Sequence, residues 1–336
     1  MRPGNYFRFY RMIQTINRRQ EIKMIRVGID VGGTGIKVGI VNEQIKIIQE
    51  GSIPTVTDIP FEEQVKRIAD CVLSTVGKAG LSADDIESVG VGIPGIASSE
   101  TGEIIKCTNM GWNHVPFREV FRRYLDKPVY IDNDANVAAL AESMAGISAG
   151  TSSSVFITIG TGIGSGIIIN GQIWKGAHGI GGELGHTILD LDGVPCTCGN
   201  HGCLERYCSA TALIRMAREA VAEHPESQIL SIAGGDPSRI EAKTVFDARK
   251  ENDATAIEVY QRYISCLVQA VASVINLLDP EVIVLGGGVS KAGKDLLDPL
   301  VKEFPQYVLF NDQPLPPVRL AVLGSEAGMI GASMLS

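Results

Sequence analysis

The stretch "IRVGIDVGGTGIKVGIV", residues 25–41, decides the fold. Two runs rich in Val and Ile flank the turn "VGGTG", a pattern typical of a β-hairpin. The run "QIKIIQEGSI" follows closely, so we predict a three-stranded meander. Glycines in such a turn let successive backbone N–H groups wrap an anion. The turn is therefore a candidate phosphate loop.

The same arrangement returns in the second half of the chain. The segment "SVFITIGTGIGSGIIING", residues 154–171, again reads as strand, glycine turn and strand, after a small-residue connector at 146–154. Little is shared between the two copies beyond "GTGI", so the repeat is only a weak indication of internal duplication. We predict an α/β protein with a small domain at 24–138 and a large domain at 139–319. The last helix, about 320–336, is expected to pack back on the small domain.

Composition limits the possible functions. The chain has 336 residues, of which 45% are hydrophobic and 20% charged, and its net charge is −8. These values indicate a folded protein and argue against a general nucleic-acid binder. No apolar run reaches the roughly 18 residues that a membrane span requires. No secretory signal is present, so the seven cysteines point to a reducing, cytoplasmic compartment.

The first 23 residues differ from the rest, because they carry six Lys/Arg residues against one Glu. A targeting or membrane-surface segment is one interpretation, but the leader lacks the apolar centre of a secretory signal. We predict a disordered extension, with Met24 as the start of the functional chain.

One glycine motif is misleading. The run "GVGIPG", Gly90 to Gly95, matches the dinucleotide fingerprint in letters. That fingerprint needs a helix after its last glycine, whereas Pro94 and "IASSETGE" predict turns. A Walker P-loop is also missing from the sequence. The remaining candidates are the turns at 32–35, 160–164 and 286–288.

An aspartate follows a predicted buried strand. In "YIDNDANVAAL", Asp134 stands where the strand passes into a helix that we expect to end at Gly146. A helix N-cap is one interpretation of Asp134. The other is a general base that removes the proton of an attacking hydroxyl group. The two roles are compatible, since a helix N-terminus favours the ionised carboxylate.

A cysteine-rich segment predicts a metal site. His186, Cys196, Cys198 and Cys203 supply one imidazole and three thiolates, a closed tetrahedral set for a structural Zn²⁺. The other four cysteines and His201 are not expected to bind metal, since Cys71, Cys107 and Cys266 fall in apolar patterns and Cys208 lies outside the spacing.

These motifs together resemble the ROK family of sugar kinases. The similarity rests on "IDVGGTGIKVGIV", "DNDAN", "TIGTGIGSGIIING", "GGELGH" followed by "CTCGNHGCLE", and "VIVLGGGV", and it covers about residues 24–336. The family belongs to the actin-like ATPase superfamily, whose phosphate loops are β-hairpins. The resemblance therefore implies a two-domain actin-like (ribonuclease H-like) fold.

The resemblance also implies roles for individual residues. Asp30 would hold Mg²⁺ through water, Lys37 would lie near the phosphates, and Asp134 would be the general base. The full set expected to bind ATP is Asp30, Gly32, Gly33, Thr34, Lys37, Gly160, Thr161, Gly162, Gly286, Gly287 and Gly288. The set expected to bind sugar is Gly95, Asn133, Asp134, Glu183, His186 and Glu205, with Thr108 or Asn109 beside Gly95.

The expected activity is ATP-dependent phosphorylation of a hexose, with glucose as the favoured sugar. The run "ERYCSATALI" resembles the glucokinase branch, although Arg206 and Cys208 replace small residues expected there. N-acetylmannosamine kinase, fructokinase and allose kinase share the motifs and stay open. A sugar-responsive repressor of the same family is the alternative from another class, and the 23-residue leader is too short for its helix-turn-helix. A zinc-ribbon nucleic-acid module is disfavoured by the single Cys/His cluster. We expect a homodimer or homotetramer.

Overall fold

The opening meander forms as predicted. In the computed structural model, β1 (Ile25–Val31) pairs antiparallel with β2 (Gly35–Val41), which pairs antiparallel with β3 (Ile47–Pro54). The structure describes residues 24–336, and the predicted basic extension lies outside them. The chain divides into a first unit, residues 24–141 with 325–336, and a second unit, residues 142–324.

The first unit continues with two helices before its last strand. After the meander the chain forms α1 (Phe61–Lys78), β4 (Ile86–Ile93), β5 (Ile96–Ala97), β6 (Ile104–Cys107), β7 (Trp112–Val115), α2 (Phe117–Arg122), β8 (Val129–Asn133) and α3 (Asp134–Ala145), whose last four residues belong to the second unit. The predicted end of α3 before Gly146 is confirmed. The misleading "GVGIPG" run lies mostly in β4, with β5 rather than a helix after it. Its exclusion as a dinucleotide fingerprint is therefore confirmed.

The second unit is built around a long helix. Its elements are β9 (Ser153–Ile159), β10 (Ile163–Ile169), β11 (Gln172–Ile173), α4 (Glu205–Cys208), α5 (Ala210–Glu223), α6 (Gln228–Ile232), α7 (Ala242–Lys250), α8 (Ala254–Leu278), β12 (Val282–Gly286), α9 (Lys294–Glu303) and β13 (Val318–Leu320). Helix α8 begins after Asp253, whose Oδ1 accepts the Ala256 N–H at 2.7 Å. None of the helices within residues 24–336 combines the length and apolarity of a bilayer crossing.

The two units have sheets of the same topology. The first sheet has the order β3-β2-β1-β4-β8, and the second has the order β11-β10-β9-β12-β13. In each, an antiparallel three-stranded meander is followed by two strands parallel to its first strand. This correspondence is much stronger than the short "GTGI" match, and it places a glycine turn at the same topological position in both sheets.

Helix α10 (Ala327–Ser333) packs closely on strands β1 and β4 of the first unit. The packing needs glycine on the strands. A Cβ on Gly28 would lie 1.7 Å from the Met329 carbonyl oxygen, and a Cβ on Gly90 would lie 1.7 Å from that of Ala332. At these two glycines the helix backbone therefore packs directly against the strand backbone, with no side chain between them.

Candidate active site

The first glycine turn is held from the strand that follows it. The Gly32 N–H donates to the Gly35 carbonyl at 3.0 Å, which closes the turn. Thr55 then bonds it twice, its hydroxyl donating to the Gly32 carbonyl at 2.6 Å and its N–H to the Thr34 carbonyl at 3.2 Å. Gly33 and Thr34 are exposed, so the tip of the turn is open to a ligand. No sequence motif indicates this role of Thr55, because the role depends on β3 lying beside the turn in the folded chain.

Asp30 and Lys37 occupy directly paired positions on β1 and β2. The paired positions put both side chains on one face of the hairpin. Burial raises the pKa of the Asp30 carboxyl group, and the nearby Lys37 charge partly opposes that shift. Helix α10 covers the carboxylate, since a Cβ on Gly328 would lie 2.6 Å from its carboxyl carbon. Asp30 is therefore a half-enclosed acidic group at the base of the glycine turn.

Asn133, rather than Asp134, caps helix α3. The Asn133 Oδ1 accepts the N–H groups of Ala135 at 2.8 Å and Asn136 at 3.3 Å, the pattern of an N-cap residue. Asp134 takes the first helical position, and its Oδ1 accepts the Ala135 N–H at 2.9 Å. The capping interpretation of Asp134 is thus wrong, and its carboxylate is oriented at the positive end of the helix.

The residues around Asn133 form a small hydrogen-bonded frame. The Asn133 Nδ2 donates to the Gly95 carbonyl at 3.2 Å, which brings these two predicted sugar-binding residues together. Behind them, Asp132 Oδ1 accepts the Asn133 N–H at 2.8 Å and the Asn136 amide at 2.9 Å. Asp132 and Asn136 are both buried. Sequence reasoning missed this support, although both residues belong to the "DNDAN" motif.

Asn109 lies near the first glycine turn. It belongs to a 3₁₀ turn, Thr108–Met110, and its Nδ2 would lie 3.5 Å from a Cβ on Gly33. Thr108 and Asn109 are both exposed. The expected place of Asn109 beside the sugar stays a prediction, and the described contact is with the phosphate turn.

The second glycine turn is held by the start of helix α5. The Gly160 N–H donates to the Gly162 carbonyl at 3.0 Å and closes the turn between β9 and β10. The Ala210 N–H donates to the Gly160 carbonyl at 2.8 Å, and the Thr211 hydroxyl donates to the Thr161 carbonyl at 2.7 Å. These partners lie about 50 residues further along the chain, so only the folded chain identifies them.

Glu205 is anchored to this second turn. Its Oε2 accepts the Ile163 N–H at 3.0 Å, and a Cβ on Gly162 would lie 2.2 Å from the same oxygen. The expected sugar-binding carboxylate therefore also contacts the expected ATP loop. Glu183 is exposed where the 3₁₀ turn Leu184–His186 begins.

The third glycine turn lies next to the second. Strand β12 runs parallel to β9, with Gly286 opposite Thr158. Gly287 has a φ of 85° and packs on the Ile159 backbone, and the Ser290 hydroxyl donates to its carbonyl at 2.8 Å. Ligands of α/β folds bind at the carboxyl ends of adjacent parallel strands. The turns at 160–162 and 286–288 occupy such an edge.

The four predicted metal ligands come together. The ligand atoms of His186, Cys196, Cys198 and Cys203 all lie within 4.8 Å of one another. The Cys198 and Cys203 sulfurs are 3.5 Å apart, and the His186 Nδ1 is 3.8 Å from the Cys196 sulfur. Burial and the neighbouring thiols raise the pKa of Cys203 to about 12. One imidazole and three sulfurs at these distances fit a tetrahedral Zn²⁺ site.

Polar contacts shape the loop that carries these ligands. The Cys196 N–H donates to the Asn200 carbonyl at 2.8 Å, which forms the knuckle between the cysteines. The Tyr207 hydroxyl donates to Asp190 at 3.1 Å and accepts the Val194 N–H at 3.0 Å. Tyr207 and Asp190 had not been expected here. Cys208 and His201 are not part of the cluster, and Cys71, Cys107 and Cys266 are buried.

Comparison with known proteins is consistent with this arrangement. The chain is 40% identical to a glucokinase of Halalkalibacterium halodurans over 92% of its own length and 94% of that protein. It is 34% identical to a glucokinase of Thermotoga maritima over 93% and 97% of the two chains. A ROK family glucokinase of Streptomyces griseus, solved with glucose and AMPPNP, matches with a TM-score of 0.78 and 32% identity, covering 92% of this chain and 98% of that one.

The structural match confirms the predicted α/β class and actin-like fold. The family model described as "ROK family" matches residues 26–336, which is the range where the motifs occur. This chain belongs to the ROK family.

Proposed function

We propose that this chain transfers the γ-phosphoryl group of ATP to a hexose, with glucose as its substrate and glucose 6-phosphate as its product. One observation carries the proposal. This chain is 40% identical to a glucokinase over 92% of its length, and its Asp134 carboxylate lies in the first turn of the helix that follows a buried strand.

Asp134 is the proposed general base. The sugar hydroxyl gives its proton to the Asp134 carboxylate while its oxygen forms a bond to the γ-phosphorus. The bond between that phosphorus and the bridging oxygen breaks, and ADP leaves with the electron pair. The Ala135 N–H holds one carboxylate oxygen at 2.9 Å, so the base is oriented before the sugar arrives. Proton removal by a positioned group contributes roughly 10²–10⁴-fold to rate.

The glycine turns are the proposed ATP contacts. The exposed backbone at Gly33 and Thr34, and at Thr161, offers N–H groups to the phosphates, while the turn at 286–288 would lie against the adenosine. With ATP, Mg²⁺ would neutralise charge on the phosphoryl oxygens, and Asp30 is the carboxylate that would hold it. Lys37, on the same face of the hairpin as Asp30, adds positive charge there.

The sugar would be bound by groups from both "DNDAN" and the metal-binding segment. We propose that Asn133 and the backbone of Gly95 contact one part of the sugar. Glu183, His186 and Glu205 would accept or donate hydrogen bonds to other hydroxyl groups. Because Nδ1 of His186 points toward the Cys196 sulfur, Nε2 is the nitrogen available for the sugar. A site built on paired polar groups rejects sugars that lack the matching hydroxyl.

Zinc is the proposed structural metal. His186, Cys196, Cys198 and Cys203 would hold it, and their closed set leaves no position for substrate. Its contribution would be to fix the ring of His186 and the chain that leads into Glu205. Elemental analysis of purified protein should find one zinc per chain, and active protein without zinc would contradict the assignment.

The activity is tested with a panel of sugars. ADP formation is followed in a coupled assay with ATP and glucose, fructose, mannose, N-acetylmannosamine or N-acetylglucosamine. We expect the highest kcat/KM for glucose. A higher kcat/KM for N-acetylmannosamine or fructose would show that the chain is an N-acetylmannosamine kinase or a fructokinase of the same family. Failure of every sugar, together with DNA retardation at physiological salt, would favour the repressor.

The oligomeric state and the cellular compartment are also proposed. We propose a homodimer or homotetramer, which light scattering after gel filtration would measure. We also propose the cytoplasm as the compartment, because a zinc site of three thiolates needs its cysteines reduced.

A further inference from the structure

A cavity of about 290 Å³ opens between helix α1 and strand β3 of the first unit. None of the residues expected to bind ATP, sugar or metal lines it. Its volume is near the lower end of ligand pockets, about 300 Å³. Arg67, Cys71 and Lys78 line it from the helix, and the segment 51–53 lines it from the strand. The cavity is therefore large enough for a small metabolite and separate from the residues discussed above.

Arg67 stands out among the arginines of the first unit. The other four described arginines are engaged: Arg26 with Glu87, Arg122 with Asp126, Arg123 with Glu119, and Arg118 with three backbone carbonyls. Among residues 24–336, Arg67 makes neither a hydrogen bond nor an ion pair, although it is half-buried. A guanidinium group has five N–H donors, and none of the described residues accepts from those of Arg67.

Lys78 adds a second positive charge. It too forms no ion pair within the described part of the chain, and its charge acts on the buried Cys71 thiol by lowering a pKa that burial raises. The Lys78 ammonium group is therefore close to the cavity wall. The one acidic lining residue, Asp70, already pairs with Lys66 at 2.8 Å. The lining is thus positive in a chain whose net charge is −8.

We propose that this cavity binds a small phosphate monoester. The planar fork of an arginine matches two phosphate oxygens, and a lysine adds a flexible point charge. The Ser74 hydroxyl, on the same helix face, supplies a further donor. The size of the cavity suits a phosphorylated sugar or triol and is too small for a nucleotide with several phosphates.

The position of the cavity gives such a ligand a route to the first glycine turn. Strand β3 pairs with β2, and Ser52 stands opposite Lys37. Three residues beyond Ser52, Thr55 makes both hydrogen bonds that hold the Gly32–Thr34 turn. A ligand that fixes β3 against α1 would therefore change the ATP affinity of the turn. This consequence rests on the proposed kinase function, whereas binding itself does not.

Calorimetric titration of the purified full-length chain tests the binding. Glycerol 3-phosphate, glucose 6-phosphate and inorganic phosphate are each titrated with Mg²⁺ and AMPPNP at saturation, so that the glycine turns are filled. We expect saturable binding of a phosphate monoester, weakened about tenfold or more by Arg67→Gln with Lys78→Gln, since each removes a charge-assisted contact. Tighter binding of inorganic phosphate than of both esters would overturn the monoester assignment.

Two further variants keep the test sharp. Lys46→Gln removes the same charge from the turn before β3 and should leave binding unchanged. Ser74→Phe fills the cavity without a change of charge and should abolish binding while Tm is retained. Equal binding in the wild type, the double variant and Ser74→Phe would overturn the proposal, as would no saturable binding to the wild type.

The coupling is read out separately from the binding. In the wild type we expect the ester to change the KM for ATP by roughly 5–150-fold, the usual range for coupled sites, and in Ser74→Phe to leave it unchanged. Binding needs no turnover, so an inactive chain that binds the ester would refute only the kinase. An active kinase that does not bind it would refute only this site.

Discussion

The Glu205 carboxylate accepts the backbone N–H of Ile163 at 3.0 Å, directly beside Gly162. This bond joins the helix that follows the cysteine segment to the turn of the second hairpin. A residue expected to recognise sugar is therefore part of the support of a loop expected to bind ATP.

The first prediction concerns this bond. Glu205→Ala leaves the Ile163 N–H without its acceptor, so we expect KM to rise for both glucose and ATP. Loss of a hydrogen bond to a charged group costs about 1.5–3 kcal/mol, or roughly 10–150-fold. Glu205→Gln keeps an acceptor and should restore the KM for ATP more than that for glucose. Glu183→Ala is the matched control and should change only the glucose value. An unchanged KM for ATP in Glu205→Ala would contradict the coupling.

The second prediction separates the base from the cap. Asp134→Asn should lower kcat by roughly 10²–10⁴-fold, with small changes in KM. Since Asn133 provides the cap, Tm should stay near that of the wild type. Steady-state kinetics and thermal unfolding measure the two effects. Asp126→Asn, on an exposed ion pair with Arg122, controls for loss of charge. A kcat near the wild-type value in Asp134→Asn would show that Asp134 is not the general base.

The third prediction concerns the pH dependence of stability. Burial raises the pKa of Asp30 above its ordinary value of 3.8, so the folded chain binds a proton more tightly there than the unfolded chain. Stability is then lost as pH rises from that ordinary value through the raised pKa of the folded chain. Asp30→Asn should therefore raise Tm at pH 7 in metal-free buffer while it abolishes activity.

The control for Asp30 is an exposed carboxylate in the same unit. Asp58→Asn should change neither Tm nor activity to a comparable extent. A lower Tm for Asp30→Asn would mean that the ionised carboxylate stabilises the fold, contrary to the sign derived above.

The fourth prediction tests the close packing of helix α10 on strands β1 and β4. Gly28→Ala and Gly90→Ala would each place a methyl group 1.7 Å from a backbone oxygen. Overpacking of this kind typically lowers the free energy of unfolding by about 1–3 kcal/mol, and sometimes more. Gly77→Ala is the matched control. It lies in α1 with nothing within 4 Å of the new methyl group, so it should stabilise by about 0.5–1 kcal/mol. Urea unfolding gives all three values, and equal stabilities would contradict the close packing.

The fifth prediction concerns metal removal. Cys198→Ser or treatment with a strong chelator should remove zinc, lower Tm and raise the KM for glucose by roughly tenfold or more. Cys71→Ser, outside the cluster, should keep one zinc per chain. A chelated protein with unchanged Tm and KM would show that the four ligands have no structural role.

Much of the fold was readable from local pattern. Alternating Val and Ile around "VGGTG" predicted β1 and β2, because a strand with a buried face has a period of two residues. The apolar spacing of Val65, Ile68, Val72 and Val76 is typical of a helix, and all four are buried in α1. The ligand set of the metal cluster was also predictable, since His186 and the three cysteines lie within 18 residues of one another.

The residues that hold the glycine turns and Asn133 in place could not be predicted from local pattern. Thr55 holds the first turn, Ala210 and Thr211 hold the second, and Asp132 holds the frame around Asn133. Thr55 lies outside every quoted motif, and Ala210 and Thr211 lie in "ERYCSATALI" without any local sign of these contacts. Their partners are set by which strand or helix returns beside a turn, which is a property of the packed chain.

By itself, the amino-acid sequence determined the type of each main element, the glycine turns, the metal ligands and the family. Periodicity, turn chemistry and ligand spacing are local, so a few neighbouring residues carry them. The tertiary structure alone decided that Asn133 caps α3, that Glu205 bonds the second hairpin and that Arg67 and Lys78 share a cavity. The bond of Glu205 and the cavity depend on contacts between separate segments of the chain. The cap depends on which of two adjacent side chains accepts the first N–H groups of the helix, and the backbone conformation of the folded chain decides this.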